Sequence, residues 1–119
     1  MRNLDILNPL IKEKSHSNDL DLNELIIKHP AATFFVRAEG SGMKNLGINS
    51  GDILVVDRSL TPVSGKIVIC ILKGEFLVRK LNIKDDVIFL QQGNPRSPLE
   101  KVDSDFEIWG VVTYVIHKC

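Results

Sequence analysis

Six short runs rich in β-branched and aromatic residues constrain this chain more than any other feature. They are TFFVRA (33–38), DILVVD (52–57), KIVICIL (66–72), EFLVRKL (75–81), DVIFLQ (86–91) and FEIWGVVTYVIHK (106–118). Such residues suit a pleated, half-buried surface, and turn residues punctuate the runs. NSGD precedes the second run and TPVSG the third, while Lys73-Gly74 joins the third and fourth as a hairpin. The loop QGNPRSPLE carries two prolines, which break regular structure, and Gly110 is a bend point in the last run. One short helix is expected before the strands. Asp21 and Glu24 stand at capping-box spacing, Leu22, Leu25 and Ile26 at helical spacing, and Pro30 closes the segment. There is no βαβ rhythm and no internal repeat. The expected fold is therefore mainly β, with coiled, packed antiparallel sheets and one short N-terminal helix. Residues 1–18 are polar and irregular, a flexible arm, and 19–119 form one domain.

Composition excludes several functions. Fifteen basic residues balance fifteen acidic ones, and no basic stripe stands out beyond Arg79, Lys80 and Lys84, so no direct nucleic-acid partner is expected. The longest apolar stretch, Ile67 to Leu72, is far short of the roughly 20 residues a spanning helix needs. With no signal-peptide pattern either, the chain is expected to be soluble and cytoplasmic, without a membrane partner. Cys70 lies inside an apolar run and Cys119 is the last residue, so neither suggests a structural disulfide. Three scattered histidines, His16, His29 and His117, give no metal-ligand spacing. No metal or cofactor is expected.

The turn EGSGM, Glu39 to Met43, presents Ser41 between two glycines at the end of a strand. A nucleophile elbow needs glycines two residues either side of the serine, where this chain has Glu39 and Met43. His29 and Asp52 could complete a Ser-His-Asp set in principle, but nothing in their spacing favours it. A phosphate-loop pattern starting at Gly40 fails at its sixth position, Asn45. By itself Ser41 is a turn residue.

The stretch DLNELIIKHPAATFFVRAEGSGMKNLGINSGDILVVDRSL, followed by GKIVICILKGEFLVRKL and later WGVV, resembles the UmuD family. These are the SOS-mutagenesis branch of the LexA-type Ser/Lys autoproteases, peptidase S24. The resemblance runs from about Asp19 to the last strand and implies the LexA/UmuD-like fold. It also implies a mechanism in which a serine just before a conserved-pattern methionine attacks a peptide carbonyl. A lysine in an F-x-V-K-[KR]-L pattern takes the serine's proton, being kept neutral by burial.

In this chain both positions differ. Met43 sets the register, so the family nucleophile position is Gly42, and Ser41 falls where the family has aspartate. In FLVRKL the base position is Arg79, with Lys80 one step further on. The separation, 79 − 42 = 37, is the one the family pattern requires. A guanidinium stays protonated, so Arg79 cannot be the base. Lys80 is expected to face away from Arg79, because successive strand residues point to opposite faces. The family cleavage-site position falls at Ile6-Leu7, with no glycine there and only Pro9 matching downstream. Most of the preceding arm is also expected to be absent, so the chain resembles the processed product. No catalytic residue is expected; the fallback candidates are Ser41 and Lys80.

The resemblance further implies a homodimer that joins the Y-family polymerase UmuC, as DNA polymerase V, at RecA-coated single-stranded DNA. Heterodimers with intact UmuD are another implied partner. The long last strand would supply the dimer surface, with Trp109, Val111 and Tyr114 as candidates. A repressor role is disfavoured, since only about 30 residues precede the first strand, too few for a helix-turn-helix domain.

Overall fold

A computed structural model describes residues 4–7, 22–40, 43–92, 99–102 and 105–119. Among the described residues, eight strands form one antiparallel sheet: β1 (Leu4–Leu7), β2 (Thr33–Ala38), β3 (Ile53–Asp57), β4 (Ile67–Leu72), β5 (Glu75–Lys84), β6 (Val87–Gln91), β7 (Glu100–Lys101) and β8 (Phe106–Ile116). Their order across the sheet is β1-β2-β3-β8-β4-β5-β6-β7. The helix α1 spans Leu22–Ile26. It stops before Pro30, which instead opens a 3-10 turn, Pro30–Ala32, leading into β2. Asp21, the proposed cap, lies outside the described residues. Among the described residues, no helix is long and apolar enough to cross a membrane.

The mainly antiparallel, one-helix architecture agrees with the sequence expectation, and each of the six runs forms a strand. Two short strands were not anticipated. Leu4–Leu7 pairs with β2, Ile6 opposite Val36 and Leu7 opposite Phe35. Its four residues are too few for alternation to show, and they fall in the stretch read as an irregular arm. Glu100 and Lys101 pair with Leu90 and Phe89, just beyond the proline-rich loop. The fourth run also extends further than its apolar residues suggested, to Lys84. There Asp85 and Asp86 take positive φ values of 49° and 63° and turn the chain directly into β6. Aspartate tolerates the left-handed region, so two of them close a tight hairpin without glycine. Lys73 and Gly74 do the same between β4 and β5, as their sequence implied.

Side chains alternate between two apolar clusters on opposite faces of the sheet. On one face Val36, Ala38, Leu54, Val56, Ile69 and Val78 pack beneath Met43 and Ile48. The other face carries Val68, Cys70, Leu81, Leu90 and Val111. Each large side chain buried in this way contributes about 1.5–3 kcal/mol. The central strand β8 serves both faces because it is irregular. Its first half, Phe106 to Val111, pairs with β4, and its second half, Val111 to Ile116, pairs with β3. A register shift in each ladder leaves Trp109 and Thr113 as extra residues, and each resets the alternation. The bend foreseen at Gly110 adjoins the first shift. A Cβ at Gly110 would sit 2.5 Å from Val56 Cγ1, so only glycine lets β3 and β8 approach here.

Candidate functional site

The turn after β2 is built around Met43. Ala38, the last residue of β2, donates its N–H to the Asp52 carbonyl, and its own carbonyl accepts from Gly51 N–H at 2.7 Å. Gly40, with φ of 102°, donates to Ser50 Oγ at 3.2 Å. Met43 is buried, and its carbonyl accepts from both Leu46 and Ile48. The described part of the turn is therefore held by a buried apolar side chain and by these hydrogen bonds. Gly42, the expected nucleophile position, and its neighbour Ser41 lie outside the described residues.

Arg79 and Lys80 occupy opposite faces of β5, as alternation required. Arg79 stands opposite Val68 on the face of Cys70 and Leu81, whereas Lys80 stands opposite Ile67 on the face where Met43 packs. Arg79 is half-buried. Its Nη1 donates to the Val78 carbonyl at 2.8 Å, and its Nε is buried without a hydrogen-bond partner. An unpaired buried donor costs about 1–3 kcal/mol, so the guanidinium is poorly accommodated. Beside it, burial pushes the Cys70 thiol up to about 11, against the pull of the Arg79 charge. Lys80 is exposed.

Ile6-Leu7, the expected cleavage-site position, lies in β1 at the end of the strand order, with Ile6 exposed. The three candidates for a dimer surface separate. Val111 is buried in the chain's own core. Trp109 is partly buried and packs at a tilt against Phe34 and edge-on against Phe76, at centroid distances of 5.3 and 5.7 Å, beneath the Arg58 guanidinium. Tyr114 is exposed, and so are Val115 and Ile116, which the sequence reading did not single out. Past Val111 these residues have no β4 partner, an outcome of strand length that apolar content does not reveal.

His29 and Asp52, weighed as parts of one catalytic set, are not brought together. His29 Nδ1 lies 2.6 Å from Asp57 Oδ2, and His117 Nδ1 lies 2.7 Å from Asp52 Oδ1. Both aspartates are buried, at either end of β3. The Asn49 backbone N–H holds the Asp52 carboxyl below its ordinary value, aided by His117 and opposed by burial. Burial pushes the Asp57 carboxyl up, yet the Ser59 hydroxyl, His29 and the Ser59 N–H outweigh it and leave it lowered. Ser59 bonds to Asp57 and not to His29, so the group is a strand-end clamp with no serine activated by the imidazole. Among the described residues no group of three or more His, Cys, Asp or Glu could hold a metal ion.

The sequence matches the family described as Peptidase S24-like over residues 8–113. It is 47% identical over 100 residues to Protein SamA of Salmonella typhimurium strain LT2, covering 84% of this chain and 70% of SamA. It is 41% identical over 99 residues to Protein MucA of Escherichia coli, covering 81% of this chain and 67% of MucA. The LexA repressor of Shewanella sp. strain ANA-3 is 33% identical over 79 residues, 66% of this chain but 38% of the repressor.

Proposed function

This chain belongs to the Peptidase S24-like family, and on that premise we propose that it is a catalytically silent, UmuD-like subunit. It acts by association, as a homodimer that binds a UmuC-type Y-family polymerase in SOS translesion synthesis. The observation that carries this reading is the pair Gly42 and Arg79 at the nucleophile and base positions, 79 − 42 = 37 residues apart. Glycine has no group to attack with, and a guanidinium cannot accept a proton at neutral pH. Association has a surface to use, since Tyr114, Val115 and Ile116 expose apolar area at the end of β8. Co-purification with UmuC, and separately with intact UmuD, tests the reading. Retention of UmuC by the dimer is expected. Binding to intact UmuD with no retention of UmuC would instead make the chain a poisoning partner.

A second reading, an autoprotease using Ser41 and Lys80, has one observation in its favour: Lys80 shares the face of the sheet on which Met43 packs. Against it, a lysine base relies on burial and Lys80 is exposed. Fluorophosphonate labelling separates the two. An adduct on Ser41 that disappears in Lys80→Ala would overturn catalytic silence.

A further inference from the structure

At the far end of the sheet, β5, β6 and β7 share a face that leaves the core beyond Val78. By alternation, Lys80, Asn82 and Lys84 of β5 stand on that face about 7 Å apart, while Leu81 and Ile83 stand on the other. The ladders carry the face onto the next two strands. Gln91 lies opposite Lys80, Phe89 opposite Asn82 and Val87 opposite Lys84, and Lys101 of β7 lies opposite Phe89 from its other edge. Phe89 is half-buried and belongs to neither core cluster. It stands with an amide on one flank and an ammonium group on the other. Lys80, Lys84 and Lys101 are exposed, and Glu100 falls on the opposite face, with Leu90. The described positions of β5, β6 and β7 on this face include no acid. Asp85 and Asp86 lie beyond it in the hairpin turn and offset Lys84, their neighbour. Lys80 and Lys101 remain as the net charge around Phe89.

We propose that this face binds single-stranded nucleic acid. A base would stack on Phe89, phosphates would meet Lys80 and Lys101, and the Asn82 and Gln91 amides would face the base edges. Surfaces that hold single strands combine these parts, because every base has a π-face and the backbone is a row of anions. A paired duplex hides the base faces that Phe89 would use. An acidic polypeptide would satisfy the lysines but give no role to the aromatic ring and the two amides. Charge totals pointed away from such a partner because the patch is discontinuous in sequence. Arg79 leaves the local cluster for the other side of β5, and Lys101, 101 − 84 = 17 residues past Lys84, joins it only through the β6–β7 ladder. In the strand order β4 separates β5 from β8, so the inference leaves the second half of β8 to the dimer. It is also independent of whether the peptidase site is silent.

The test uses the full chain and a fluorescent oligothymidine of roughly 12 nucleotides, within the site sizes of such surfaces. Starting at low salt, anisotropy should show saturable binding. The logarithm of the association constant should fall against that of the salt concentration with a slope of about −1.4, from two phosphate contacts at about 0.7 each. Lys80→Gln with Lys101→Gln should remove most of that slope, whereas Lys28→Gln, after α1, should leave it unchanged. Phe89→Leu should weaken binding about tenfold and keep the slope, because it removes stacking and no charge. An abasic strand of equal length should bind the native chain about tenfold more weakly for the same reason. Equal affinity for the abasic strand, or a slope indifferent to the lysine pair, overturns the proposal. So does equal affinity for a polyglutamate peptide, which would make an acidic polypeptide the natural partner. Both lysines are exposed, so their variant tests the face whether or not Phe89→Leu folds.

Discussion

His117 Nδ1 lies 2.7 Å from Asp52 Oδ1, which ties the residue just past β8 to the turn that leads into β3. The same carboxylate accepts the Asn49 N–H at 2.8 Å through its other oxygen. At the opposite end of β3, Asp57 is held in the same manner by His29 and Ser59. One strand is thus clamped at both ends by buried carboxylates.

Acid should release those clamps. Both carboxyls are lowered from 3.8 in the folded chain. The unfolded state therefore binds more protons in that range, so stability rises with pH there. The contribution is fully present above the unfolded value and is lost as pH falls through the lower folded values, below about pH 4. Urea denaturation as a function of pH should show this decline, and Asp52→Asn with Asp57→Asn should flatten it. An unchanged slope in the variant would falsify the assignment.

Gly110→Ala should destabilise the chain by about 1–3 kcal/mol, because the added methyl must displace Val56. Denaturant midpoints would measure the loss. Pairing the change with Val56→Ala should recover part of it, since the methyl then has room; failure of that rescue would point to the backbone as the origin.

The two thiols should differ sharply. Cys119 is exposed, while Cys70 is buried with its thiol pushed up to about 11. At mildly alkaline pH a disulfide reagent should titrate one thiol quickly and the second only after denaturant is added, because the thiolate is the reactive form. Fast reaction of Cys70 in the native chain would contradict its placement.

Catalytic silence predicts a specific repair. Gly42→Ser together with Arg79→Lys should permit cleavage of a UmuD-type arm supplied in trans, read on a gel, and neither change alone should. Cleavage by Gly42→Ser alone would show that Arg79 is no obstacle.

Much of the architecture was legible because a strand's apolar content is local. The six runs needed only their own residues, and opposite-facing Arg79 and Lys80 followed from the two-residue period of a strand. What escaped depends on partners remote in sequence. β7 is two residues long and exists because Leu90 and Phe89 offer it an edge. The clamps join residues 28 and 65 positions apart, between groups that any loop could carry. Val111 is buried and Trp109 is partly buried against the opposite cluster, since the register shift at Trp109 turns one to each face, which their composition does not reveal.

The sequence by itself determined what the residues at positions 42 and 79 can do chemically. Whether a side chain can attack or accept a proton is a property of the residue, and Gly42 and Arg79 lack those properties in any fold. Tertiary structure decided the rest: which histidine each buried aspartate receives, and which half of β8 pairs with β4. Those depend on where ladders shift register and where β4 ends. Such outcomes follow from competition among all the strands for one another's edges, which no single stretch of chain encodes.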